Sequence, residues 1–235
     1  MVNWFSKFIT SSIGQKVVMS LTGLFLITFL VVHLVGNLQL LGIDGGQAFN
    51  EYAYFMTNNP AIKSISWGLY AFILIHSIQG ILLWARNRKA RGSEGYAVKV
   101  NRVAGSSASR ISSVYMASLG TIILVFILLH MYQFWLQMKI GNTPMIAYEG
   151  GADVKDLYIM VEQAFANPIY VGVYVVSMIV VGFHLWHGFA SAFQTLGLNH
   201  KKYTPLINAV GKVYSVVVPA GFAIIPIVMY YRSIS

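Results

Sequence analysis

The chain contains no cysteine among its 235 residues. This absence excludes iron–sulfur clusters held by thiolates, covalent attachment of c-type haem, and disulfide bonds. Charge is also scarce, because only 10% of the residues are charged while 57% are hydrophobic. A soluble domain has about 25% charged residues, so this composition indicates a membrane protein.

Five long apolar segments account for the composition, and each reaches the ~20 residues that a helix needs to cross a bilayer. They span approximately residues 17–41, 61–85, 111–137, 168–196 and 209–231. Strands of about ten residues with the alternating pattern of a membrane barrel are not found. The sequence therefore predicts an all-α membrane protein with five transmembrane helices, numbered I to V, in a single integral domain over residues 1–235.

The basic residues are distributed unevenly between the two ends of these helices. Twelve of the sixteen lysines and arginines lie before helix I, between helices II and III, or between helices IV and V. These regions share one side of the membrane, and six of the seven acids lie on the other side. The positive-inside rule then puts the N-terminus in the cytoplasm. The net charge of +9 is explained by this topology and does not indicate a nucleic-acid partner.

Helices I and II resemble helices III and IV in sequence. Met, Gly and His recur at one spacing in helices I and III, as Met19, Gly23, His33 and as Met116, Gly120, His130. Pro, His and Gly recur at another in helices II and IV, as Pro60, His76, Gly80 and as Pro168, His184, Gly188. Two spacings repeated in order predict two copies of one helical hairpin. His184 occupies the position of His76, whereas the nearby His187 occupies that of Gln79.

The four repeated histidines fall at two depths, judged from a helix rise of about 1.5 Å per residue. His33 and His130, the 33/130 pair, lie toward the outer face. His76 and His184, the 76/184 pair, lie about 15 Å nearer the cytoplasm. Two imidazoles at one depth suit the axial positions of a haem iron, so we expect two b haems in a four-helix bundle of helices I–IV, with helix V alongside. Zinc is less suited, because structural zinc sites take four ligands together.

Several further residues are candidates for the haem environment or for a quinone site. Glycines near the histidines would admit a flat macrocycle, although close helix packing explains any single glycine equally well. The haem-environment candidates are Lys16, Gly23, Gly80, Gly120, Gly188 and His187. The quinone candidates are Gln79, Trp84 and Arg86 on the inner side and Glu51, alternatively a solvated loop acid, on the outer side.

Two short segments outside the spans have helical character. Residues 1–12 are predicted to form an interfacial helix, with a frayed terminus as the alternative. A short amphipathic helix capped by Asp153 is predicted before helix IV. Helix V has no buried ionisable group, and lipid-facing packing with proline kinks is its expected role.

The segments FLVVHLVGN, QAFNEYAYFMTNNP, LIHSIQG, LLHMYQFW and GFHLWHGFASAFQTLG resemble a known family. It is the single-chain, five-helix, two-haem cytochrome b membrane anchor of succinate dehydrogenase and quinol:fumarate reductase. The resemblance implies that the four repeated histidines bind two non-covalent b haems. It also implies electron transfer between an iron–sulfur subunit and a membrane quinone, typically menaquinone.

The same resemblance implies a place in a larger enzyme. The chain would be a non-catalytic electron-transfer subunit in a bacterial inner membrane, with a flavoprotein subunit containing FAD and an iron–sulfur subunit on its cytoplasmic face. The basic loop 86–109 is the expected docking surface. Some relatives carry a proton-conducting glutamate two residues before the helix IV ligand, where this chain has Gly182.

The histidines alone leave other functions open. A haem b anchor of a hydrogenase or formate dehydrogenase would have the same ligands, and its partner subunits would distinguish it. A haem-free transporter or proton channel could use the histidines as a relay. The two-helix repeat argues against that class, because its copies run in the same direction and are not inverted. A structural anchor with vestigial histidines is the third alternative.

Overall fold

The computed structural model of this chain describes residues 3–92, 114–149 and 153–235. Within these ranges, five helices are long and apolar enough to span a membrane, which confirms the predicted number of spans and indicates a multi-pass membrane protein. They are helix I (Ser12–Leu38, extended by a 3-10 turn over Gln39–Leu41), helix II (Pro60–Arg91), helix III (Met116–Ile140), helix IV (Pro168–Thr195) and helix V (Thr204–Ile234).

Helices II and IV begin at their Asn-Pro dipeptides for a local chemical reason. The side-chain oxygens of Asn59 and Asn167 each accept a hydrogen bond from the backbone N–H two residues further on, at 3.0 and 2.9 Å. The proline that follows each asparagine occupies the first helical position, where its missing N–H has no partner to lose.

Most helices are longer than their apolar segments. Helix I begins at Ser12, five residues before its predicted start, because the Ser11 side chain caps it by accepting from the Gly14 N–H. Helix II continues to Arg91 and helix V begins at Thr204. Hydropathy marks only the lipid-facing part of a helix, whereas the hydrogen-bonded backbone continues into the polar interface. The predicted start of helix III, at residue 111, lies outside the described residues.

Short elements occupy the segments between the spans. A helix over Trp4–Thr10 precedes helix I, as predicted, and its place at the membrane interface stays a prediction. The I–II segment contains a helix that was not predicted, Gln47–Asn58. In the III–IV segment, β1 (Met145–Ile146) pairs antiparallel with β2 (Val154–Lys155) before a helix over Leu157–Phe165, so the chain is not entirely helical.

The predicted cap of this last helix was wrong. Asp156, not Asp153, caps it by accepting a hydrogen bond from the Ile159 N–H at 3.1 Å. The intervening residues Val154 and Lys155 are held in β2, so the chain can turn into a helix only after them.

The spans contact one another in a defined order. Helix I contacts helices II, IV and V, while helix III contacts helices II and IV. Helix V packs most extensively along helix IV. Gly211 makes this approach possible, because a Cβ atom there would lie 2.7 Å from the Phe189 ring. Helix V is also fixed to helix I, since the Tyr214 hydroxyl donates to the Ile27 carbonyl at 2.6 Å.

The largest buried apolar cluster lies at the end of helix I. It connects helices I, IV and V with the two loop helices, Gln47–Asn58 and Leu157–Phe165. Its buried members are Leu34, Leu40, Phe49, Val161, Phe165, Tyr174, Val218, Ile225 and Met229. Asn50, which is 1% exposed, ties the loop helices together. Its amide donates to the Tyr148 hydroxyl and to Asp156, both at 2.9 Å, and its carbonyl accepts from the Tyr158 N–H at 3.0 Å.

Candidate functional site

The structure brings the four repeated histidines together as two pairs. The rings of His33 on helix I and His130 on helix III have centroids 5.9 Å apart, with their planes at 82°. The rings of His76 on helix II and His184 on helix IV have centroids 6.3 Å apart, with their planes at 72°. Each pair therefore joins two helices that are separated in sequence by a third.

These centroid separations are those expected of two imidazoles that bind one metal ion from opposite sides. Two imidazoles on opposite sides of a metal ion have centroids about 6 Å apart, because each metal–nitrogen bond is about 2 Å long and each nitrogen lies about 1 Å from its ring centre. Both observed separations match this value.

Glycines of helices I and III lie against the 76/184 pair. A Cβ atom on Gly23 would lie 3.3 Å from Cε1 of His76, and one on Gly120 would lie 3.8 Å from Cε1 of His184. The two contacts are equivalent under the sequence repeat, since each glycine faces the histidine of its own hairpin. Of the other glycine candidates, Gly80 faces the Met19 side chain, and Gly188 has no atom within 4 Å of a Cβ position.

The histidines of the 76/184 pair differ in their hydrogen bonds. Nδ1 of His76 lies 3.2 Å from the Thr22 hydroxyl of helix I. Nδ1 of His184 is buried and has no hydrogen-bond partner among the residues that the structure describes. A buried polar atom without a partner is unusual in a native protein and calls for an explanation.

The 33/130 pair also has polar neighbours. Nδ1 of His130 lies 3.4 Å from the Tyr174 hydroxyl of helix IV, which donates to Oε1 of Gln133 at 2.9 Å. Nδ1 of His33 lies 3.2 Å from the Asn37 amide nitrogen, one turn further along helix I. The contact of His130 with Tyr174 was not anticipated, because nothing in the local sequence indicates which side chains meet across the interface between helices III and IV.

The turn of helix III that follows His130 is a π-helix, over Met131–Leu136. Such wide turns are rare and often occur at functional sites. Gln133, the acceptor for Tyr174, belongs to this turn. The unbroken apolar run of helix III gave no signal for it.

Aromatic rings surround the 33/130 pair. Phe29 stacks on the His33 ring at 5.1 Å between centroids, and Phe134 meets the His130 ring at 5.4 Å. Phe222 of helix V lies 5.5 Å from the His33 ring. Lipid-facing packing, the role expected of helix V, does not describe this side chain, which lies against the 33/130 pair.

Gly182 is explained by the packing of helix V. A Cβ atom at this position would lie 3.0 Å from the backbone oxygen of Ser215. A side chain at this position would crowd that oxygen, so the close approach of helices IV and V accounts for a glycine here.

The inner quinone candidates all lie on helix II. Among the described residues, no hydrogen bond or ring contact joins Gln79, Trp84 and Arg86 to one another. The Arg86 guanidinium donates to the Thr10 carbonyl at 3.1 Å and to the Gln15 side chain at 2.7 Å, and so fixes the end of helix II to the start of helix I. Oε1 of Gln79 is buried, and no described residue donates a hydrogen bond to it.

The remaining candidates lie in different surroundings. Trp84 is 43% exposed, with the Arg88 guanidinium 5.5 Å from its ring centroid. Glu51 is exposed on the helix Gln47–Asn58 and accepts a hydrogen bond from the Gln47 amide at 2.8 Å. Lys16 is exposed, and His187 is half-buried.

The donor set as a whole suits a group that needs two imidazoles per metal ion. Each pair supplies two neutral, nitrogen-donating side chains within an apolar layer, and the glycines beside His76 and His184 leave their ring edges uncovered. No protein-family model, no curated protein and no solved structure significantly matches this chain. The two histidine pairs are therefore the basis for assigning a function.

Proposed function

We propose that this chain is the membrane-anchor cytochrome b subunit of a succinate:quinone oxidoreductase. The observation that supports it best is the meeting of four repeated histidines as two pairs, with ring centroids 5.9 and 6.3 Å apart. In this proposal each pair supplies the two axial ligands of one b haem, and helices I–IV form the haem-binding bundle. Haem, when bound, supplies reversible one-electron redox chemistry.

The side chains around each pair have distinct tasks in this proposal. The histidines would hold the iron. Hydroxyl groups of neighbouring helices lie against Nδ1 of His76 and of His130. Gly23 and Gly120 keep side chains out of the space beside the imidazoles. The rings of Phe29, Phe134 and Phe222 exclude water from the 33/130 pair.

The two levels would connect the faces of the membrane. Electrons exchanged with an iron–sulfur partner on the cytoplasmic face would reach the 76/184 level first and the 33/130 level second. Charge that moves across the membrane feels the membrane potential, about 2.3 kcal/mol per elementary charge per 100 mV. Such coupling would help succinate oxidation by menaquinone, the quinone that the resemblance favours.

A quinone site near the 76/184 level is supported by Gln79. Its buried Oε1 lacks a hydrogen-bond donor, and a hydroquinone hydroxyl would supply one. Trp84 and Arg86 lie further along the same helix, toward the end that the positive-inside rule puts in the cytoplasm. Glu51, at the other end of helix II, would serve a quinone only at the outer face.

The assignment to succinate dehydrogenase or fumarate reductase rests on the resemblance of the sequence segments quoted above. The partners it implies are a flavoprotein subunit with FAD and an iron–sulfur subunit, in the inner membrane of a bacterium. Arg86, Arg88 and Lys89 are exposed at the end of helix II and belong to the proposed docking surface. The rest of that surface, residues 93–109, lies outside the described residues.

The test is to purify the chain with its partners from its native membrane and to measure haem b by the pyridine haemochromogen assay. We expect two haems per chain, reduced when succinate is added. His130→Leu and His184→Leu should each lose one haem, whereas the matched variant His187→Leu should keep both.

Other results of this experiment would support different functions. A preparation with haem but with hydrogenase or formate dehydrogenase subunits would favour the alternative respiratory anchor. An assembled preparation without haem would refute the cytochrome proposal and favour the histidine relay. Loss of haem in His187→Leu but not in His184→Leu would exchange the roles of these two residues.

A further inference from the structure

We infer that Thr22 and Tyr174 are positioning residues that lower the reduction potentials of the two haems, each acting on a different one. Thr22 acts through His76 and Tyr174 acts through His130. The inference rests on the haem ligation proposed above and concerns how the chain makes the two ligands of one haem unequal.

The Thr22 hydroxyl has acceptors on its own helix. It donates to the carbonyls of Val18 and Met19, which lie 2.8 and 3.1 Å away. With its proton engaged there, the Thr22 oxygen is available to accept from Nδ1 of His76, which lies 3.2 Å away. His76 is then protonated on Nδ1, and its Nε2 lone pair is free to bind a metal ion.

Tyr174 produces the same result at the other level. Its hydroxyl donates to Oε1 of Gln133 at 2.9 Å, so its oxygen accepts from Nδ1 of His130 at 3.4 Å. The acceptor Gln133 belongs to the π-helical turn that follows His130. The wide turn therefore has a specific role, because it places the residue that orients the tyrosine.

A break in the sequence repeat explains the unpartnered nitrogen of His184. Thr22 lies three residues after Met19, and the equivalent position in helix III, three residues after Met116, is Leu119. A leucine has no hydroxyl group to accept from Nδ1, so His184 lacks the contact that His76 has. The 76/184 pair consequently contains one ligand with a hydrogen-bond acceptor and one without.

This asymmetry has a predictable effect on redox chemistry. An imidazole that donates its second N–H to an acceptor is a more basic ligand. A more basic ligand stabilises the oxidised iron relative to the reduced iron and lowers the reduction potential. Removing the hydroxyl that accepts from a ligand histidine should raise the reduction potential of its haem. Adding an acceptor beside Nδ1 of His184 should lower the reduction potential.

The experiment is an optical redox titration of the haem α-bands in the purified complex. Thr22→Val should raise the potential of one haem, and Tyr174→Phe should raise that of the other. We expect each shift to be about tenfold in the one-electron equilibrium, which is about 59 mV. Thr22→Ser keeps the hydroxyl and should titrate like the unaltered protein.

Leu119→Thr provides a test in the opposite direction. A threonine hydroxyl at this position can donate to the Tyr115 carbonyl, to which the Leu119 N–H already bonds, and accept from Nδ1 of His184. We expect it to lower the potential of the same haem that Thr22→Val raises. If Thr22→Val fails to bind haem, Leu119→Thr still tests whether a hydroxyl acceptor lowers the reduction potential.

Two matched variants control for the loss of a hydroxyl as such. Thr28→Val removes a helix I hydroxyl that bonds its own backbone, and Tyr214→Phe removes one that bonds the Ile27 carbonyl. Neither should move a potential. The inference is overturned if Thr22→Val and Tyr174→Phe behave like these controls, if both shift the same haem, or if Leu119→Thr has no effect. Failure of the haem proposal itself looks different, because the unaltered protein would then show no titrating α-band at all.

Discussion

Asn50 offers a direct test of how the segments between the spans are held together. It is 1% exposed and makes three hydrogen bonds to the III–IV segment, with Tyr148, Asp156 and Tyr158. Asn50→Ala removes all three and leaves each partner short of a hydrogen bond. At a net contribution of about 1 kcal/mol each, the loss is about 3 kcal/mol.

The effect should be local, because the spans themselves do not depend on these bonds. A loss of about 3 kcal/mol raises the population of the open segment about a hundredfold. Hydrogen exchange followed by mass spectrometry should show this as faster exchange of the amides in the helix Leu157–Phe165. The five spans should exchange as before.

Asn58→Ala is the matched control, since Asn58 lies on the same helix but its exposed amide donates only to the Tyr54 carbonyl. It should leave the exchange of Leu157–Phe165 unchanged. Equal exchange in Asn50→Ala and Asn58→Ala would show that the buried amide does not hold the two loop helices together, and the reasoning above would be wrong.

Two further predictions concern the site and its surroundings. Gly23→Val should lower the haem content from two to one per chain, because even a Cβ atom there would lie 3.3 Å from the His76 ring. The control variant Gly188→Ala should keep both haems, since a Cβ atom at that position has open space. Equal haem content in the two variants would contradict the packing argument. Hydrogen bonds from the backbone N–H groups of Ala48 and Gly46 hold the pKa of Asp44 below its usual value of 3.8. The ionised Asp44 carboxylate therefore stabilises the start of the helix Gln47–Asn58 above pH 3.8, and this stabilisation is lost as the pH falls through the lowered pKa. Amide hydrogen exchange in this helix should become faster on acidification through that pKa, and an unchanged exchange rate would refute the prediction.

Much of this arrangement was accessible from the sequence because it depends on local chemistry. Long apolar runs require helices, since a backbone in hydrocarbon must satisfy its own hydrogen bonds. At the start of helices II and IV, the asparagine that caps the helix and the proline in its first position are adjacent in the sequence. Helix rise alone sorted the four histidines into the two pairs whose rings meet in the structure.

Other features depended on contacts between residues far apart in the chain. Tyr214 meets the Ile27 carbonyl across 187 positions, and Phe222 reaches His33 from a helix that seemed by composition to need only lipid. Gly182 is small because helix V passes beside it, a reason that no local pattern contains. The cap of Leu157–Phe165 was misplaced because strand pairing, which also joins distant residues, delays that helix.

The number of spans, the repeated hairpin and the pairing of the histidines were predictable from the sequence, because helix geometry converts residue spacing into distance. The surroundings of each imidazole were set by contacts between helices. Thr22 and Tyr174 reach histidines on other helices, whereas Nδ1 of His184 meets no partner within the described ranges. Those contacts depend on how the helices are rotated against one another, and that rotation is set by packing across the whole interface.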